Sequence, residues 1–130
     1  MKKIITTNNS PSPIGAYNQA VLVGDMLFIS GQIAIDPKNG DMVQDDIHEE
    51  TKQVMENLQG ILSEAGMTFN NIAKASIFLK NMDDFTKVDH IYGSYFDVST
   101  APAREAVQIA RLPKNANVEI SAIAYRQSKN

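Results

Sequence analysis

Apolar residues recur with period two along several short stretches of this chain and with a helical period along two longer ones, which predicts strands and helices respectively. Residues 2–7 alternate weakly and form the first expected strand. Residues 8–13 are a loop rich in Asn, Ser and Pro that runs into Pro13-Ile14-Gly15-Ala16-Tyr17. Residues 20–23 and 26–30 are apolar runs joined by Gly24-Asp25, a short hairpin connection. Met26-Leu27-Phe28-Ile29 is apolar at every position, so both faces of that strand should be buried. Ser30-Gly31-Gln32 then breaks the run, and Asp36-Pro37-Lys38-Asn39-Gly40 is a turn.

A long helix follows. Asp45 or Asp46 caps it, Ile47, Val54, Met55, Leu58, Ile61, Leu62 and Ala65 line one side, and Gly66 stops it. Residues 72–80 are a strand. A second helix from Asp83 or Asp84 carries Phe85, Val88, Ile91, Tyr92, Tyr95 and Phe96 on one stripe. Residues 101–120 then form an expected hairpin, and residues 127–130 a frayed tail.

The apolar sets of that hairpin decide its register. Val107 and Ile109 alternate on the first strand; Val118, Ile120, Ala122 and Ala124 alternate on the second. If they share one buried face, the other face carries Arg104, Ala106 and Gln108 beside Glu119, Ser121 and Ile123. Glu119 then lies opposite Gln108, about 13 Å from Arg104 at roughly 3.3 Å per residue. The two charges mark opposite ends of one pocket, unless a neighbouring subunit supplies one of them.

Three strands, a helix, a strand, a helix and two strands make an α+β subunit, a six-stranded mixed sheet with two helices packed on one face. Several strands are apolar on both sides, so the other face calls for a partner. Another copy of the chain is the expected one, with pockets at the seams of a homo-oligomer.

Composition narrows the chemistry. The 130 residues, without an internal linker, are expected to form one domain over residues 1–130. The absence of cysteine excludes a disulfide framework, a thiol nucleophile and a thiolate metal site. The basic start lacks the apolar core of a signal peptide and no run approaches a membrane span, so a cytoplasmic location without membrane attachment is expected. Net charge is −3, with no Lys/Arg run beyond Lys2-Lys3, and no footprint for nucleic acid is visible.

Among polar residues, Arg104 offers a planar fork that matches a carboxylate; the alternative is a strand-end arginine in solvent or in a structural ion pair. Glu119, between two apolar neighbours, reads either as a residue that holds or deprotonates a water or as the partner of a Lys across the sheet. Tyr17 follows a turn from which a phenol can enter a cleft, and Ser30-Gly31 offers a hydroxyl and close backbone approach. His48 and His90 have no partner at catalytic or ligand spacing. Asp36, Asp41, Asp45, Asp46, Glu49 and Glu50 do not fit a calcium loop and look like a solvated helix start. No metal site is expected.

Five segments in order, Pro13-Ile14-Gly15-Ala16-Tyr17, Ile29-Ser30-Gly31-Gln32, Pro102-Ala103-Arg104, Arg111-Leu112-Pro113 and Val118-Glu119-Ile120, resemble the RidA (YjgF) family of imine deaminases over residues 2–126. The resemblance implies a chorismate-mutase-like (bacillus type) subunit, a homotrimer with ligand pockets between subunits, and hydrolysis of 2-imino acids such as 2-iminopropanoate and 2-iminobutanoate to 2-keto acids and ammonia. It implies that Arg104 clamps the substrate carboxylate, Glu119 holds the attacking water, and Tyr17, Ser30, Gly31 and the backbone near Ala106 line the pocket. No cofactor is implied, and the expected partner is a small imino or keto acid. Two further readings stay open: a non-catalytic sensor of small carboxylates, and a ribonuclease or translation inhibitor. Where many members carry Ser-Cys after the signature Arg, this chain has Glu105-Ala106; Asp89 stands where Asn is common.

Overall fold

Hydrophobic periodicity produces six strands and two α-helices in the expected order: β1 (Lys2–Ile5), β2 (Ala20–Val23), β3 (Met26–Gln32), α1 (Ile47–Glu64), β4 (Ile72–Leu79), α2 (Phe85–Gly93), β5 (Ala103–Gln108) and β6 (Val118–Tyr125). The computed structural model describes residues 1–127, so the expected tail lies, beyond Gln127, outside the described residues. Asp46 caps α1, its Oδ1 accepting from the His48 backbone N–H at 2.7 Å. Gly66 ends the helix in the left-handed region at φ +72°. The apolar stripe of α1 (Val54, Met55, Leu58, Ile61, Leu62) is fully buried in one cluster with Leu27, Ile77 and Ile120 of the central strands.

All strands share one sheet in the order β1-β2-β3-β6-β4-β5. Neighbours are antiparallel except β4 and β5, which run parallel and are joined through α2. This corrects the closing hairpin. The chain returns from α2 to lie parallel to β4, as a helical crossover requires. It then passes the end of β4 through a turn at Pro113–Asn115 and pairs as β6 on the other side. β4 therefore splits the hairpin.

The split also inverts the face assigned to β5. Ile77 pairs with Ala106 on one side and Ile120 on the other, so Arg104, Ala106 and Gln108 share the helix-covered face with Val118, Ile120 and Ala122. Glu105 and Val107 point the other way, with Glu119. The expected alternation holds for β6 and fails for β5, because an edge strand buries little and takes its parity from its partner. Leu27 and Ile29 are buried, but Phe28 is 44% and Val107 40% exposed, both on the sheet face that no helix covers.

Candidate active site

Ile29 pairs with Ala122 and Gln32 with Ile120, so Ser30 and Gly31 together face the single residue Ser121. This β-bulge keeps Ile29 and Gln32 buried while turning the residues between them outward. Gly31 is what leaves room for the Glu119 side chain: a Cβ there would stand 2.5 Å from Glu119 Oε2 and 2.8 Å from its Cδ. The Ser30 hydroxyl donates to the Asn18 carbonyl at 2.6 Å and its backbone N–H to that of Gln19 at 2.9 Å, tying the bulge to the loop that carries Tyr17.

Buried Gln19 organises that loop. Its Nε2 donates to the carbonyls of Thr7, Ser10 and Pro11 at 3.0, 3.1 and 2.8 Å, and its Oε1 accepts from Thr7 N–H at 2.8 Å. Gly15 turns at φ +117°, and the Tyr17 hydroxyl accepts from Ile14 N–H at 3.3 Å.

These elements enclose a cavity of about 350 Å³, lined by Tyr17, Gln19, Gly31, Ile33, Lys114 and Glu119 among others. Glu119 is half-buried there without a hydrogen-bond or ion-pair partner among the described residues, and burial raises its pKa above the ordinary glutamate value. A carboxylate so placed can accept a proton from water. Lys114 and Asn115 adopt φ +53° and +52°, the only non-glycine residues in that region among those described. Lys80 Nζ holds the Asn115 side chain at 2.9 Å. Nearby, fully buried Glu50 accepts from Asn117 N–H at 2.8 Å and Asn117 Nδ2 at 2.7 Å, fixing the backbone that enters β6.

Arg104 lies elsewhere, on β5 against α2. Its Nη1 is 2.5 Å from Asp89 Oδ1, and its guanidinium sits 5.3 Å from the Phe85 and 5.2 Å from the Tyr92 ring centroid. A second cavity of about 500 Å³ there includes Asp89, Tyr92, Phe96, Pro102 and Arg104 in its lining. Burial pushes the Tyr92 hydroxyl up to about 12, against the opposing effect of Arg104. Glu105 bonds to Ser76 and, at 3.1 Å, to Lys74; these contacts, Ser76 first, lower its pKa.

The structure thus gathers Tyr17, Gly31 and Glu119 in one cavity, with Ser30 in the adjoining depression that Tyr17 also lines. Arg104 and half-buried Ala106 stand on the other sheet face, so the single pocket read from the hairpin register does not exist within one chain. Sequence reasoning missed Gln19, Lys114 and Glu50. Lys114 follows the Arg111-Leu112-Pro113 segment, a local signal; Gln19 and Glu50 gave none, and Glu50 is no part of a solvated helix start.

Residues 7–126 match the family model described as Endoribonuclease L-PSP. A RutC family protein of Pyrococcus horikoshii is 50% identical over 127 residues, 98% of this chain and 100% of that protein. The chain belongs to the YjgF/RidA family. Within it, the rat 2-iminobutanoate/2-iminopropanoate deaminase is 45% identical over 126 residues, 97% of this chain and 91% of that one. The crystal structure of E. coli TdcF with bound serine superposes with a TM-score of 0.90 at 38% identity, covering 96% of this chain and 99% of TdcF. The α+β architecture is thus that of YjgF/RidA relatives across almost the whole chain.

Proposed function

We propose that this protein hydrolyses reactive 2-imino acids, of the 2-iminopropanoate and 2-iminobutanoate kind, to 2-keto acids and ammonia. The observation that carries the reading is the Glu119 carboxylate, without a hydrogen-bond or ion-pair partner among the described residues and held against Gly31 in a cavity that Tyr17 also lines. Water adds across the C=N bond: its oxygen joins the imine carbon and one of its protons passes by way of Glu119 to nitrogen; the new hydroxyl then gives up its proton to nitrogen as the carbonyl forms, the C–N bond breaks and ammonia leaves. The imine carbon is already electrophilic, so orientation supplies most of what is needed. Names of relatives near 45% identity agree with this activity.

Arg104 clamps the substrate carboxylate. Because Arg104 and Glu119 stand on opposite sheet faces of one chain, the site is completed by another copy: Arg104 and Ala106 from one protomer, Tyr17, Ser30, Gly31 and Glu119 from its neighbour. Exposed Phe28 and Val107 on the uncovered face support such packing, in the homotrimer that the family resemblance implies. We place this domain of residues 1–130 in the cytoplasm; no helix among the described residues is long and apolar enough to cross a membrane. Although the family model is described as an endoribonuclease, a net charge of −3 with no Lys/Arg run beyond Lys2-Lys3 favours a small anion over RNA.

The test is keto-acid formation from 2-iminobutanoate generated in situ. We expect acceleration that falls about 10²–10⁴-fold in Glu119→Gln and is lost in Arg104→Ala. Wild-type rates in Arg104→Ala would sink the proposal. Calorimetric binding without turnover would point instead to a carboxylate sensor, and salt-dependent retention of RNA on a filter to a ribonuclease.

A further inference from the structure

Arg104 already holds a carboxylate, that of Asp89, at 2.5 Å. The pair is not a core feature: the two side chains are 28% and 45% exposed, and both line the cavity of about 500 Å³ beside α2. Tyr92 lines the same cavity, and its hydroxyl is buried with no hydrogen-bond partner among the described residues. A ligand carboxylate reaching Arg104 therefore arrives beside a second, competing carboxylate.

The consequence depends on the ligand's charge, and here the inference rests on the imine-hydrolase reading. A 2-imino acid protonated on nitrogen is a zwitterion, whereas the 2-keto acid made from it is an anion. The zwitterion sets its carboxylate on Arg104 and turns its cationic N–H groups to Asp89, so every charge keeps a counter-charge. The keto acid takes Arg104 and leaves Asp89 facing another carboxylate uncompensated. We propose that Asp89 converts Arg104 from an anion clamp into a zwitterion clamp, which admits the iminium substrate and disfavours the keto-acid product. Asp89 is thereby the residue that sets discrimination between the two.

L-2-Aminobutanoate and 2-oxobutanoate share one carbon skeleton and differ at the second carbon, ammonium against carbonyl, so calorimetric titration of the full-length protein with each reads the effect directly. Wild type should bind the amino acid about tenfold more tightly, a difference of about 1.4 kcal/mol. Asp89→Asn, nearly isosteric, should reverse the order: 2-oxobutanoate tightens about tenfold and becomes a stronger product inhibitor, while the amino acid weakens. Arg104→Ala should weaken both. An unchanged ratio in Asp89→Asn, with both ligands lost in Arg104→Ala, would overturn the zwitterion clamp and leave the carboxylate clamp standing. Undiminished binding in Arg104→Ala, or no binding of either ligand by wild type, would overturn both.

Discussion

Glu119 reaches its place because Gly31 has no side chain: its Oε2 lies 2.5 Å from where a Cβ on Gly31 would stand. Gly31 does not have a left-handed backbone, so the requirement is one of space alone. In Gly31→Ala the carboxylate must swing away while the backbone suffers no strain. Keto-acid formation should fall about 10²-fold, the usual effect of a 1 Å misplacement of a reacting group. The urea midpoint should move little. A variant with full activity would show that Glu119 does not need this position.

The burial that raises the pKa of Glu119 gives activity and stability opposite pH trends. In the unfolded chain the carboxyl loses its proton at the ordinary, lower pKa. Its contribution to stability is thus intact below that value and lost as pH rises through the raised one. Glu119→Gln, which cannot ionise, should unfold at a higher urea concentration than wild type at neutral pH, and the gap should close in acid. Under the proposed mechanism the hydrolysis rate depends on the carboxylate and should fall as pH drops, with a midpoint above that of an ordinary glutamate. Parallel denaturation and rate profiles check both signs.

Local chemistry made much of this fold legible. The cap at Asp46, the period of α1 and the unbroken run at Met26 to Ile29 each depend on neighbours in sequence, and each element formed where expected. Tyr17, Gly31 and Glu119 were likewise marked by short segments. What could not be read was strand order. The pattern Ala-Arg-Glu-Ala-Val-Gln in β5 fits either face, and only insertion of β4 beside it puts Arg104 toward α2 and away from Glu119. Glu50 was hidden for a related reason: its partner Asn117 lies 67 residues further along the chain.

Glu50 fixes the backbone that leads into Glu119. Its carboxylate accepts two hydrogen bonds from Asn117, two residues before Glu119, and is completely buried. Glu50→Gln turns one acceptor into a donor facing a donor. Denaturation at fixed protomer concentration should show a loss of about 1.5–3 kcal/mol, the range for hydrogen bonds to charged groups. Activity should fall as well through looser placement of Glu119. Full stability in the variant would mean that Asn117 finds another partner easily.

Gly60 offers the opposite of the usual helix rule. Replacing an interior helical glycine by alanine ordinarily stabilises by about 1 kcal/mol. In α1, however, a Cβ at Gly60 would stand 2.8 Å from the Asn9 carbonyl oxygen and 2.6 Å from Ser10 Oγ. Ser10 cannot yield easily, since its hydroxyl donates to the Asn57 carbonyl at 2.6 Å and its own carbonyl accepts from Gln19. Overpacking of this kind costs about 1–3 kcal/mol, so the steric effect should win and Gly60→Ala should be net destabilising. The displaced segment continues into Pro11 and Ser12, which line the Glu119 cavity, so KM should rise more than kcat falls. A stabilised variant with unchanged KM would show that the loop retreats from α1 without disturbing the cavity.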